Sequence, residues 1–285
     1  MELSCNIIRI AEEYGLKKMI DVLVDCGYNG ADFNFDITEY GGGKYDKEFY
    51  LDIKNYADKK EFSFFQAHAP FPSSFSSVIE NEKRFDEIVT SMRNASFLGA
   101  PMIVVHPCYH LENATYQENF DYNLNFYKRL APFAKEYGIK IAIENIPVDY
   151  PNNACDSANK INAIYDNLNQ PEIFTVCFDV GHSMLSTKNP AEEIKKLGYR
   201  IGCTHIHDNN GVVDAHTLPY SGIIDWKSVM KAFADIDYKG ELNYEASLFF
   251  KNVPIELRVD SLKYMAKVGR YLINLFEDYK KDNNY

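Results

Sequence analysis

Thirteen consecutive residues, THIHDNNGVVDAH at positions 204–216, hold three of the seven histidines in this chain of 285 residues, together with two aspartates. Imidazole nitrogens and carboxylate oxygens are the groups with which proteins bind divalent metal ions. The same segment could also be a polar loop in which each histidine only completes local hydrogen bonds. The positions of similar residues elsewhere in the chain decide between a loop and a metal site.

Short apolar runs elsewhere in the chain end in the same residue types. From the third run to the eighth, the residues at or just after the ends are His68, His106, Glu144, Asp179 followed by His182, His205 followed by Asp214 and His216, and Glu245. Each alone has a structural explanation, because a carboxylate at a strand end often caps the next helix. Together they indicate a metal site, since converging carboxylates repel one another unless a cation lies between them.

The apolar runs belong to a regular alternation of strand-like and helix-like segments. The eight predicted strands are LSCNII, GADFNF, SFFQAH, MIVVHP, KIAIEN, TVCFDV, IGCTHIH and ELNYEAS. Helical periodicity fills the intervals, for example over Glu12–Cys26 and Pro254–Phe276, and several helical runs stop at a glycine: Gly27, Gly99, Gly138 and Gly198. The pattern predicts an α/β protein with one domain over residues 1–285, a (β/α)₈ TIM barrel, with a polar tail at 279–285 that frays.

A doubly wound open sheet is the main alternative to the barrel. That fold predicts a glycine-rich phosphate-binding turn after the first strand, and NIIRIAEEYG contains none. In a barrel, the C-terminal ends of all strands surround one mouth, where active sites lie. The barrel therefore predicts that the histidines and carboxylates at the strand ends come together.

Charge and cysteine content limit the classes of partner and compartment. The formal net charge is −11, so we expect neither nucleic acid nor an anionic membrane as a partner. The six cysteines form no CxxC pair, which favours reduced, buried thiols in a cytoplasmic protein. The first residues lack the features of a signal peptide, and no run reaches the roughly 18 apolar residues of a membrane span. Homo-oligomerisation stays open.

With these residues in order, the chain resembles the xylose-isomerase-like barrel superfamily, which contains sugar isomerases, sugar epimerases and the zinc-dependent apurinic endonucleases. The resemblance extends from the AH of the third strand to the YE of the eighth. It implies that one divalent cation (Zn, Mn or Mg) is bound by Glu144, Asp179, His205 and Glu245. The endonuclease branch implies ligands for two further cations, namely His68 and His106 with Glu144 bridging, and His182, Asp214 and His216. The implied cofactor is therefore one to three divalent ions.

The segments beside these residues differ from the endonuclease pattern. ENIPVDYPNN replaces a small, glycine-rich segment, DVGH replaces Thr-Cys-His, and HDNNG replaces Asn-Asp-Ser-Lys. The stretch that ends in Asp225-Trp226 looks more like the sugar-active branch. His207 has no ligand role in the resemblance, and we interpret it as a structural histidine or one that supports a ligand.

The resemblance implies a metal-dependent sugar isomerase or epimerase that transfers a proton next to a metal-bound carbonyl or hydroxyl group. Glu144 and Glu245 are the predicted acid/base pair, and the predicted contacts to a small sugar substrate are His182, Tyr109 and Phe71. A zinc-dependent phosphodiesterase of the apurinic endonuclease type is the alternative. A non-catalytic protein that binds metal or sugar is a second alternative.

Overall fold

Eight parallel strands form the centre of the protein. A computed structural model describes residues 1–36, 44–108, 114–147, 152–246, 249 and 253–283. The strands are β1 Leu3–Asn6, β2 Gly30–Asn34, β3 Ser63–His68, β4 Met102–Val105, β5 Lys140–Glu144, β6 Phe174–Asp179, β7 Ile201–His205 and β8 Leu242–Tyr244. They lie in one sheet in the order β7-β6-β5-β4-β3-β2-β1-β8, so strands β1 to β7 pair with one another in chain order and β8 pairs with β1.

The sheet closes where β7 meets β8. Ile206, just after β7, donates its N–H to the carbonyl of Asn243 at 2.8 Å, and the N–H of Glu245 donates to the carbonyl of Ile206 at 3.2 Å. These two bonds bring the ends of the first and last strands of the sheet order together. The protein is thus a single-domain (β/α)₈ barrel, as predicted.

Helices connect the strands on the outside of the barrel. In the described residues they are α1 Ile8–Tyr14, α2 Leu16–Cys26, α3 Lys47–Asp58, α4 Val78–Leu98, α5 Tyr116–Tyr137, α6 Ala158–Leu168, α7 Val180–Ser186, α8 Pro190–Leu197, α9 Trp226–Asp235 and α10 Arg258–Asn283, with short 3₁₀ turns at Gly198–Arg200 and Ile255–Leu257. Side-chain caps begin several of them, and Thr115 with Glu118 forms a complete capping box at α5. The four predicted stop glycines all lie at the C-terminal caps of helices.

Two helical segments differ from the prediction. The run predicted as one helix over Glu12–Cys26 is divided at Gly15, whose φ of 71° ends α1 and starts α2. Residues 279–283 of the tail that was predicted to fray continue α10. Tyr279 packs against the core, and Lys280 lies 2.8 Å from Asp237, so tertiary contacts hold this polar end in place. Residues 284–285 lie outside the described residues.

The inside of the barrel contains polar side chains as well as a small apolar cluster. Strands β4 to β7 contribute Val104, Ala142, Cys177 and Cys203, which pack together. The other strands contribute buried polar groups, and Ser4 Oγ donates to Asn243 Oδ1 at 2.8 Å while Asn6 Nδ2 donates to Asp32 Oδ2 at 3.2 Å. The barrel interior below the mouth is therefore partly polar. All six cysteines are buried and free, and no helix in the described part of the chain is long and apolar enough to cross a membrane.

A buried aspartate organises the loop between β7 and α9. Asp208 is fully buried, and its carboxylate accepts hydrogen bonds from Asn209 N at 2.9 Å, Tyr220 N at 3.0 Å, Ile224 N at 3.3 Å and Trp226 Nε1 at 2.9 Å. Asp225, which precedes Trp226, has a different role: it caps the exposed start of α9 by accepting a hydrogen bond from Ser228 N. Asp208 thus fixes both ends of the loop that carries Asp214 and His216.

We predict that Asp208→Asn lowers the free energy of unfolding by about 2 to 3 kcal/mol, because an amide NH₂ would face buried N–H donors and bonds to a charged acceptor would be lost. Asp225→Asn is the matched control, and it should change stability by about 0.5 kcal/mol or less, since Asn and Asp cap helices equally well. Urea denaturation followed by circular dichroism measures both. Equal effects of the two substitutions would show that Asp208 does not organise the loop.

Candidate metal centre

The mouth of the barrel brings together a first cluster that consists of Glu144, Asp179, His205 and Glu245. One ligand atom from each lies within 4.8 Å of the others. His205 Nδ1 is central, at 2.9 Å from Glu144 Oε1, 3.2 Å from Glu245 Oε2 and 3.9 Å from Asp179 Oδ2. Three of the four side chains are fully buried, and that of Glu245 is 16% exposed. The cluster gathers the four residues predicted to bind one cation.

A second cluster lies beside the first and consists of His182, His207, Asp214 and His216, again with ligand atoms within 4.8 Å of one another. Asp214 Oδ2 lies 3.3 Å from His182 Nε2 and 3.0 Å from His216 Nε2. The three residues predicted as ligands of an additional cation therefore meet. His207 joins them, although sequence reasoning gave it no ligand role.

His68 and His106 face the second carboxylate oxygen of Glu144. Their Nε2 atoms lie 3.5 Å and 2.9 Å from Glu144 Oε2, while Glu144 Oε1 faces His205. Glu144 thus has one oxygen toward each group, which is the arrangement that a bridging carboxylate requires. All nine residues predicted to be ligands lie around one mouth.

The predicted substrate contacts have different positions. The Phe71 ring is 39% exposed and stacks on the His106 ring, with the centroids 5.0 Å apart. His182 is 5% exposed, and both its ring nitrogens face protein atoms, so a substrate contact through it would have to displace Asp214. Tyr109 lies outside the described residues.

The imidazole tautomers test whether these residues fit a cation. His68 Nδ1 lies 2.7 Å from the Ala69 carbonyl, His182 Nδ1 2.8 Å from the Asn145 carbonyl, and His216 Nδ1 2.8 Å from the Glu245 carbonyl. A carbonyl can only accept, so each Nδ1 carries a proton, and in the neutral ring the lone pair is on Nε2.

These Nε2 lone pairs face carboxylate oxygens. His68 Nε2, Glu144 Oε2 and Asp214 Oδ1 are buried and make no hydrogen bond to the described residues. Lone pairs that face anionic oxygens away from water are costly unless a proton or a cation lies between them. Histidine held through its second nitrogen, opposite carboxylate, is also the usual arrangement around a bound metal. The residues therefore fit a divalent cation.

Protonation of the imidazoles is the other way to compensate the carboxylates. Burial lowers the pKa of His68, but the adjacent Glu144 carboxylate outweighs burial and raises this pKa to about 9. Burial likewise lowers the pKa of His216, but the adjacent Asp214 carboxylate outweighs burial and raises this pKa to about 9. Burial raises the pKa of Glu144, yet His205 and His106 bring it well below the usual value. A cation that binds here must therefore displace protons.

Residues that sequence reasoning missed hold the ligands in place. Asn145 Nδ2 donates to the Asp179 carbonyl and Asn145 Oδ1 accepts from the Asp179 N–H, both at 2.8 Å, so the ends of β5 and β6 are joined. On the other side of His205, Nε2 lies 3.0 Å from the Gln66 amide nitrogen and 3.5 Å from Asp32 Oδ2. The only sequence signal for them was a polar residue inside or next to an apolar strand.

The two clusters differ in ligand chemistry. The first has three carboxylates and one imidazole, which suits Mn²⁺ or Mg²⁺, whereas the imidazole-rich second cluster suits Zn²⁺.

A (β/α)₈ barrel with a carboxylate and histidine centre at the C-terminal mouth defines the class of protein. Residues 20–268 match the xylose isomerase-like TIM barrel family, and the chain belongs to this family.

Solved structures of similar fold include a D-tagatose 3-epimerase-like protein, with a TM-score of 0.77 and 22% identity over 98% of this chain and 99% of that one. The IOLI protein with a binding zinc atom aligns with a TM-score of 0.79 and 18% identity, over 98% and 99% of the two chains. At these identities the likeness shows the fold.

Sequence relatives match either part of the chain or most of it at low identity. The chain is 31% identical to the uncharacterized protein MJ1311 of Methanocaldococcus jannaschii over 187 residues, which are 62% of each chain. It is 22% identical to an inosose dehydratase of Clostridium botulinum over 265 residues, which are 83% of this chain and 84% of that protein. The matches to the first relatives span about half to three fifths of those proteins, such as 50% of y4fM of Sinorhizobium fredii.

We predict that the clusters bind cations separately. His205→Ala should weaken Mn²⁺ binding at least about tenfold and leave Zn²⁺ binding at the second cluster intact, because His205 belongs to the first cluster and not to the second. His182→Ala, the matched control, should have the reverse effect. Elemental analysis and competition titrations with Mn²⁺ and Zn²⁺ measure both. Undiminished Mn²⁺ occupancy in His205→Ala would contradict the ligand assignment.

Cation affinity should rise as the pH is raised from about 6.5 to 9. The pKa values of His68 and His216 near 9 mean that both rings are protonated at neutral pH in the cation-free protein, and protons compete with the cation. Calorimetric titrations in two buffers of different ionisation enthalpy measure the protons released. A cation affinity that is independent of pH over this range would contradict the pairing of His68 with Glu144 and of His216 with Asp214.

Proposed function

We propose that the protein is a divalent-cation-dependent isomerase or epimerase of small sugars. One observation carries this proposal: Glu144 of β5 and Glu245 after β8 flank His205 Nδ1, at 2.9 Å and 3.2 Å, in the mouth of the barrel. Two carboxylates on different strands, beside a site that fits a cation, supply the groups for proton transfer at a sugar carbon.

The reaction requires removal of a proton next to a carbonyl group. A bound divalent cation would polarise the carbonyl or the adjacent hydroxyl and make this proton more acidic. Burial opposes ionisation of Glu245, but the charges of His205 and His216 lower its pKa below the usual range, so this carboxylate is ionised at neutral pH.

The two glutamates differ in access to a substrate. Glu144 is fully buried, and both its oxygens face imidazoles, whereas Glu245 is 16% exposed. We therefore assign Glu245 as the group that removes the proton. Glu144, which is ionised in the cation-free protein, would return a proton that it receives from the imidazolium of His68. The exposed Phe71 ring provides an apolar wall beside His106 for the carbon skeleton of the sugar.

The names of similar proteins support a sugar substrate. Structures of similar fold include a D-psicose 3-epimerase and an L-ribulose 3-epimerase, with TM-scores of 0.76 and 0.78. A sequence relative from Methylomonas is an L-ribulose 3-epimerase, 28% identical over 120 residues, which are 42% of this chain and 39% of that protein. The net charge of −11 favours a small neutral partner over nucleic acid.

A phosphodiesterase is the second candidate, and a specific observation favours it. His68 and His106 both direct Nε2 at Glu144 Oε2, so the mouth offers ligands for a further cation beyond the two clusters. Several cations side by side suit the stabilisation of a phosphoryl group that is attacked by hydroxide. The acidic surface charge weighs against a DNA substrate, and a direct assay separates the two candidates.

We predict that wild-type protein with Mn²⁺, incubated with a panel of ketoses in deuterated water, incorporates deuterium next to the sugar carbonyl. Glu245→Gln should lower this exchange by about 10²- to 10⁴-fold at saturating cation, because an amide cannot accept the proton. Glu241→Gln is the matched control, since this buried glutamate lies at the other end of β8, away from the mouth. NMR spectroscopy of the sugars measures the exchange.

The same preparation is incubated separately with a duplex that contains an abasic site. Efficient incision, with no deuterium in any sugar, would overturn the isomerase or epimerase proposal in favour of the phosphodiesterase. Equal exchange by Glu245→Gln and the wild type would refute the role of Glu245 while leaving the sugar substrate in place.

A further inference from the structure

His207 belongs to the second cluster by position and also contacts the first. The side chain is fully buried, and its Nε2 lies 3.0 Å from each oxygen of Asp179, a member of the first cluster. Its ring stacks on that of His216 in the second cluster, with centroids 3.9 Å apart and planes inclined by 11°. One imidazole therefore connects a candidate ligand of one cation with a candidate ligand of another.

The chain leaves space for this ring at Gly181. A Cβ atom at Gly181 would lie 2.0 Å from His207 Cε1, a distance that no side chain could adopt without displacing the imidazole. The Gly181 carbonyl also accepts from Asn209 Nδ2 at 2.8 Å, which ties the segment after His207 to the start of α7. Glycine at position 181 thus follows from the position of His207.

The protonation of His207 differs from that of the candidate ligands. His68, His182 and His216 each donate Nδ1–H to a carbonyl, which leaves Nε2 for a cation. His207 Nδ1 is buried and makes no hydrogen bond to any residue in the described ranges, whereas Nε2 faces a carboxylate. An unpaired buried acceptor costs less than an unpaired N–H, so the proton belongs on Nε2.

A protonated Nε2 has no lone pair for a cation. His207 therefore acts as a donor to Asp179, although its nitrogen lies within 4.8 Å of the ligand atoms of the second cluster. Asp179 Oδ1 also accepts the N–H of His182 at 2.6 Å, and Asn145 holds the Asp179 backbone. His207 Nε2 and the His182 N–H thus hold the carboxylate, and its Oδ2 lies 3.9 Å from His205 Nδ1.

We propose that His207 is a positioning residue that holds Asp179 in the orientation required by the first cation. The inference rests on the cation of the proposed function, but it concerns affinity and geometry rather than turnover. Donors to a metal-ligating carboxylate typically change metal affinity by about 10- to 100-fold when they are removed.

Two variants separate the donor from the stack. His207→Leu removes the N–H and should weaken Mn²⁺ binding by about 10- to 100-fold, measured by the electron paramagnetic resonance of free Mn²⁺ after Zn²⁺ has saturated the second cluster. His207→Gln keeps an N–H donor and loses the aromatic stack, so Mn²⁺ binding should weaken by less than about tenfold. Loss of Zn²⁺ in both variants, with Mn²⁺ binding unchanged, would identify His207 as a ligand and overturn the proposal.

The wild-type protein gives a test that does not depend on the folding of a variant. Long-range ¹H–¹⁵N correlation spectra of protein labelled at histidine report which ring nitrogen carries the proton, and the His207 signals are assigned in the wild type by correlating the ring with its own backbone resonances. We expect Nε2–H with and without cations. Nδ1–H, with Nε2 shifted by Zn²⁺, would refute the inference. If the wild type binds no Mn²⁺, the proposal of a cation-dependent function is refuted. The tautomer of His207 then remains as the test of its hydrogen bond to Asp179.

Discussion

The convergence of buried carboxylates at the mouth of the barrel is the constraint on which the rest of the structure depends. Glu144 and Asp179 are fully buried and Glu245 nearly so, and all three face His205 Nδ1 within 3.9 Å. Such a group of charges is stable only with positive charge among them, from protonated imidazoles or from a cation. The surrounding histidines, and the pKa shifts that they show, are consequences of this requirement.

The scaffold holds the ligands in place with hydrogen bonds from residues outside the clusters. Asn145 joins the ends of β5 and β6, and Asp208 fixes the loop that delivers Asp214 and His216. Backbone carbonyls orient the rings of three histidines. Ligand positions that are held before a cation arrives reduce the ordering cost of binding.

The same nine side chains suit two kinds of chemistry, and each kind requires different loops around them. Proton transfer on a sugar needs one cation and two carboxylates, whereas phosphodiester cleavage needs several cations and a way to hold an anionic backbone. Glu144 belongs to both arrangements, since one of its oxygens faces His205 and the other faces His68 and His106. Charge and loop sequence, rather than the ligand set, favour the sugar.

The sequence by itself determined the barrel and the candidate ligands, because strand periodicity, stop glycines and residue types at strand ends are local properties. It could not find Asp32 or Gln66 near His205, or assign a contact to His207, because these contacts join residues from strands distant in the chain. Nor could it foresee that α10 continues to residue 283, since Asp237 holds that polar end from another loop. Only the tertiary structure decided which ring nitrogen faces a carboxylate, because that choice depends on carbonyls such as those of Ala69 and Glu245.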